Sequence, residues 1–134
     1  MVGGSEDVMK RCDPYLRAIG THQFHVGPIG AGATAKLANN VMYLIARVGV
    51  YEGLSVARAN GIDTDRMMEI ALASSGYSEA LRRWKMDGSK HTSSADSFEG
   101  IDRPASRHLA DALAIARESG FDLPVVATVL QSMG

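Results

Sequence analysis

The feature that most constrains this chain is a helical apolar pattern running from about Ala31 to Asn60. Leu37, Val41, Leu44, Ile45, Val48, Leu54, Val56 and Ala59 recur at intervals of three and four, with Gly49 and Gly53 weakening the middle. At about 1.5 Å of rise each, roughly 28 residues make a rod about 40 Å long. One small core does not cover such a rod, so the apolar stretch Leu44 through Ala59 is expected to pack against something beyond this chain.

The flanking segments also read as helices. Ser5 is an N-cap followed by Glu6 and Asp7, favourable at the positive end of a helix dipole, and Val8 and Cys12 share a face. Pro14 after Asp13 reads as a break, with a second short helix through Tyr15, Leu16 and Ile19 to Gly20. In "HQFHV", residues 22–26, Phe24 and Val26 alternate with polar neighbours as in a strand, yet no sheet partner is evident. Gly61 stops the long helix and Asp63 caps the next, through Met67, Met68, Ile70, Ala71 and Leu72. Ser78 opens "SEALRRWKM", and the polar run "DGSKHTSSAD" reads as a loop. Ala105, Leu109, Ala112 and Ala116 then share a face of a helix from Pro104 to Gly120, and Pro124 begins a last one. No internal repeat argues for a solenoid. The expected fold class is mainly α.

Composition narrows the function. A chain of 134 residues, 46% apolar, can bury the core of one domain. Its net charge is -1, with Lys and Arg scattered, so the footprint of a nucleic-acid binder is missing and a small partner is expected. Cys12 stands alone and cannot form an internal disulfide, which suits a reducing compartment and a core role. The opening "MVGGSEDVMK" has no apolar leader region, and "VMYLIARVGVY" is interrupted by Arg47 short of the roughly 18 residues of a membrane span. The reading is soluble and cytoplasmic, with no nucleic-acid or membrane partner.

"GPIGAGATAKLANN", residues 27–40, carries the candidate chemistry. A P-loop needs lysine directly after its last glycine, whereas Ala33 follows Gly32. The dinucleotide fingerprint fails as well, because Gly27, Gly30 and Gly32 run in the opposite spacing with Pro28 among them. What remains is a tight turn into the first turn of the long helix, where free N–H groups favour an anion such as a carboxylate. Lys36 and Asn40, four apart, are neighbours on one face beside the apolar stripe, a setting for a lysine that works as acid or base or that points to water.

The run "HVGPIGAGATAKLANN", with "YEGLSVARANGID" behind it, resembles the start of the C-terminal helical domain of the β-hydroxyacid dehydrogenases. That family includes 3-hydroxyisobutyrate dehydrogenase, tartronate semialdehyde reductase and, more distantly, 6-phosphogluconate dehydrogenase. "MVGGSEDVMKRCDPYLRAIG" is similar to the last strand and helix of the family's nucleotide domain, and "SSGYSEALRRW" and "ESGFDLP" resemble later segments in the right order.

The resemblance implies an all-helical domain like the C-terminal domain of 6-phosphogluconate dehydrogenase over residues 28–134, cut within its last helix. Before it stands a Rossmann remnant, a helix and a short strand, over residues 1–27. It also implies an NAD- or NADP-dependent oxidoreductase acting on a small 3-hydroxy acid or its semialdehyde, dimeric or larger through the long helix. Lys36 would be the catalytic lysine and Asn40 would hydrogen-bond substrate, while Gly30 and Gly32 would let backbone approach it. Near the cofactor the family usually has Phe, a spacer and Lys-Asp-Leu. Here Arg107, His108 and Leu109 fall at that place and Phe98 lies about two residues too far upstream, so Arg107 and Phe98 are the candidate cofactor residues. Arg107 keeps the charge, but its guanidinium is wider and cannot exchange protons. Most of the cofactor site lies in a domain the chain lacks, so the chain alone is expected to be inactive. The alternative is a non-catalytic helical self-association module. His22 and His25 read as exposed or capping, with no metal cluster beside them, His91 as a loop residue, and Trp84, Met67, Met68 and Met86 as core or interface residues.

Overall fold

The computed structural model describes residues 1–87 and 103–132; the run "DGSKHTSSAD" beyond Asp87, His91 and Phe98 lie outside them. Among the described residues six helices carry almost all the regular structure: α1 (Glu6–Ile19), α2 (Ala31–Ala59), α3 (Thr64–Leu72), α4 (Glu79–Asp87), α5 (Arg103–Glu118) and α6 (Pro124–Ser132). The chain forms two compact units, Met1–Asn40 and Val41–Gly134, and α2 contributes to both.

In the first unit α1 runs straight through Pro14, contrary to the break expected there. A proline inside a helix removes one backbone hydrogen bond, and the rest of the helix tolerates the loss. The Asp13–Arg17 ion pair, 2.6 Å, spans the position one turn apart. Ser5 occupies the N-cap, but its hydroxyl oxygen accepts no capping hydrogen bond from the first turn. No residue of α1 is buried, Val8 is 49% exposed and Cys12 is half-buried, so the apolar face expected there is only a partial one.

The orphan strand finds its partner in the first residues of the chain. Val2 N–H donates to Phe24 O (2.8 Å), Val26 N–H to Val2 O (3.0 Å) and Gly4 N–H to Gly27 O (2.9 Å). This amounts to one parallel bridge, Val2 with His25, joined through α1. Parallel neighbours need such a crossover connection.

In the second unit Leu44 and Val48 of α2, Leu109 of α5, and Val126 and Val129 of α6 form the core. The face predicted for α5 is the one buried: Leu109 and Ala116 are fully covered and Ala112 nearly so. Ala57, Met68, Ala80 and Leu81 are also buried. Beside them lies a largely apolar groove of about 380 Å³ along α2, α3 and α4, lined among others by Gly49, Gly53, Met67 and Leu81. The stretch Leu44 through Ala59 is therefore partly covered by the chain's own helices. Ala57, not Val56, takes the inward position, and Val56 is 65% exposed.

The helix stops follow the residues. Gly61 has φ +75° and Gly120 has φ +76°, conformations that glycine adopts without strain. At each, the following N–H reaches back to close the helix: Ile62 to Ala57 O (2.9 Å) and Phe121 to Ala116 O (3.0 Å). Asp63 caps α3 by accepting from Arg66 N–H (2.9 Å), and Ser78 Oγ accepts from Leu81 N–H (3.0 Å) at the start of α4.

Candidate functional site

The entry turn of α2 is built by glycines with different tasks. Gly27 (φ +131°) and Gly30 (φ +94°) hold backbone conformations that L side chains rarely adopt. A Cβ on Gly30 would meet nothing within 4 Å, so its open side faces free space. Gly32 is different. A Cβ there would stand 3.0 Å from Gly3 N, 3.1 Å from Met1 O and 3.2 Å from Val2 C. The N-terminal segment thus lies directly against the first turn of α2. A Cβ on Gly3 would in turn stand 3.0 Å from Gly32 N and 3.2 Å from Ala31 N. The space beside these amides, expected to attract an anion, is occupied by the chain's own backbone, and Ala31 N–H already donates to Pro28 O (3.1 Å).

Lys36 stands one turn beyond Gly32 and is exposed; among the described residues it has no ion-pair partner. Asn40, four residues on, is half-buried on the same helix. Gly30, Gly32, Lys36 and Asn40 therefore belong to one unit, on one helix and its entry turn. Arg107 belongs to the second unit and is exposed on α5, beside half-buried His108 and fully buried Leu109. Phe98 lies outside the described residues.

His25 is exposed, as read from its position, and its ring also reaches the N-terminal segment. Its Nε2 lies 2.7 Å from Gly4 O. A carbonyl only accepts, so the ring nitrogen donates and carries its proton there. The signal available in the sequence was a histidine two residues before a glycine turn, in a chain with a glycine pair at residues 3 and 4.

Away from the turn, Glu79 accepts from Arg82 (2.6 Å to each of its oxygens) and from Arg83 (3.0 Å). The hydrogen bonds from Arg82 and then Arg83 hold its carboxyl down at about 2. The Arg83 guanidinium also lies 5.8 Å from the centre of the Tyr43 ring, tying α4 to α2. Among the described residues no group of His, Cys, Asp and Glu could hold a metal ion, and no helix is long and apolar enough to cross a membrane.

Residues 30–133 match the family model described as the NAD-binding domain of NADP-dependent 3-hydroxyisobutyrate dehydrogenase. The chain belongs to the 3-hydroxyisobutyrate dehydrogenase family. It is 33% identical over 132 residues to 2-(hydroxymethyl)glutarate dehydrogenase of Eubacterium barkeri, a match covering 98% of this chain and 43% of that one. Over 81 residues it is 37% identical to the NAD-dependent L-serine dehydrogenase of Pseudomonas aeruginosa, 60% of this chain and 27% of that protein. Among solved structures, 3-hydroxyisobutyrate dehydrogenase of Mycobacterium tuberculosis with L-serine superimposes with a TM-score of 0.80 at 21% identity, covering 98% of this chain and 46% of that one. The chain spans less than half the length of these relatives.

Proposed function

We propose that this chain is the substrate-binding and self-associating part of an NAD(P)-dependent dehydrogenase acting on a small 3-hydroxy acid or its semialdehyde. The observation that carries the reading is Lys36, exposed and unpaired among the described residues, one turn before Asn40 on a helix entered through the open turn at Gly30. Relatives named as dehydrogenases of 3-hydroxyisobutyrate, L-serine and 2-(hydroxymethyl)glutarate support the substrate class.

Lys36 exchanges a proton between its Nζ and the reacting oxygen of the substrate, and Asn40 fixes that oxygen's neighbour through its carboxamide. Gly30 lets the main chain of the turn approach the substrate, and Gly32 serves the site by seating the N-terminal segment. NAD(P), when bound, exchanges the hydride. An exposed cation on α5 suits an anionic cofactor, so Arg107, with Phe98, is assigned to the cofactor side.

Residues 1–27 are the end of a nucleotide-binding fold, a reading supported by the parallel Val2–His25 bridge across α1, and residues 28–134 form a helical domain of the 6-phosphogluconate dehydrogenase type. Met42 and Val56, 66% and 65% exposed on α2, suit a homodimer or larger assembly in a cytoplasmic setting. The test joins the chain to a cofactor-binding lobe of its family and follows oxidation of 3-hydroxyisobutyrate-like acids. Lys36→Ala should lower kcat by about a hundredfold or more with the fold intact. Unchanged turnover removes Lys36 from the mechanism.

A further inference from the structure

We infer that His25 is a positioning residue for Lys36: its hydrogen bond to Gly4 O closes a strap that seats Val2–Gly4 against the first turn of α2. The inference rests on the proton-carrying role proposed for Lys36.

Gly4 is held at both ends of its peptide, by Gly27 O at its N–H and by His25 at its carbonyl. Between Val2 and Gly4, Gly3 lies against the amides of Ala31 and Gly32. Gly4 is buried and Val2 half-buried, but α1, which follows the strap directly, buries no residue and adds little to hold it. Three backbone hydrogen bonds, from Val2, Gly4 and Val26, join the strap to residues 24–27, and His25 adds a side-chain bond to them. Gly32 is packed by the strap and Lys36 stands one helical turn beyond it, so a loosened strap frees the turn from which the amine projects. Misplacing a catalytic group by about 1 Å can cost as much as a hundredfold in rate. A glutamine, whose Nε2 carries the same donor, should replace the histidine.

The experiment has two arms. On this 134-residue chain, amide hydrogen exchange is read by NMR at residues 32–36. His25→Ala should speed it about five- to tenfold, and His25→Gln should stay within about twofold of the wild type. In the chain joined to a cofactor-binding lobe, His25→Ala should lower kcat about tenfold with KM within about twofold, and His25→Gln should restore it. Unchanged exchange in His25→Ala, or a His25→Gln variant that behaves like His25→Ala, overturns the inference. Should His25→Ala fail to fold, ring ¹⁵N spectra of the wild type decide it. A neutral ring protonated at Nε2 supports the strap, and one protonated at Nδ1 overturns it. Exchange and tautomer need no substrate, so they stand apart from the Lys36→Ala kinetics that decide the functional reading.

Discussion

Gly3 and Gly32 meet backbone to backbone: a Cβ on Gly32 would lie 3.0 Å from Gly3 N, and a Cβ on Gly3 would lie 3.0 Å from Gly32 N and run into Pro28 O. Neither obstacle is a flexible side-chain tip, so the backbone itself would have to give. Gly3→Ala is expected to destabilise the chain by about 1–3 kcal/mol, the usual range for overpacking. Gly4→Ala is the control, since a Cβ there meets nothing within 4 Å. Denaturant midpoints of the two variants should separate clearly, and equal midpoints would contradict the close approach.

Glu79 predicts an acid sensitivity. Its carboxyl sits at about 2, against an ordinary 4.5, because the folded chain aims Arg82 and Arg83 at the ionised form. A depressed folded value means that the stabilisation is fully present above the unfolded value and is lost as pH falls from about 4.5 to about 2. The group is exposed, so salt weakens the effect. NMR titration of the Glu79 carboxyl carbon should give a midpoint near 2 at low salt that moves upward in high salt. Arg82→Gln should raise it as well, because Arg82 makes two of the three bonds.

Pro14 predicts a gain. It stands inside α1, exposed, where it withholds a hydrogen bond. Pro14→Ala should stabilise the helix by about 1–3 kcal/mol, less whatever the proline contributes by stiffening the unfolded chain. Thermal melts followed by circular dichroism should shift upward, and a downward shift would mean that the ring makes a contact worth more than the missing bond.

Legibility tracked how local the cause was. The stops at Gly61 and Gly120, the caps at Asp63 and Ser78, and the α5 face through Leu109, Ala112 and Ala116 depend on residues within a turn or two of each other. These could be read directly. Pro14 does not break α1, because its local cost is real but is outweighed by the helix on both sides. The strap escaped because Val2 and His25 pair across the whole of α1, and a parallel pair separated by a helix leaves no short-range pattern. For the same reason Gly30 and Gly32 looked alike in the sequence. Only the distant Gly3 distinguishes a glycine that faces open space from one that receives a neighbouring backbone.

Lys36→Arg separates two tasks that the alanine variant merges. An arginine at this exposed position keeps a positive charge and reach similar to lysine, so it would still attract a carboxylate if attraction were the whole role. A guanidinium does not give up a proton in the working pH range, so it cannot exchange one with the substrate oxygen. In the chain joined to a cofactor-binding lobe, Lys36→Arg should therefore lose kcat about as fully as Lys36→Ala, by about a hundredfold or more, while keeping a KM closer to the wild type. Retention of most of kcat by the arginine variant would make Lys36 an electrostatic anchor and leave the proton to another group.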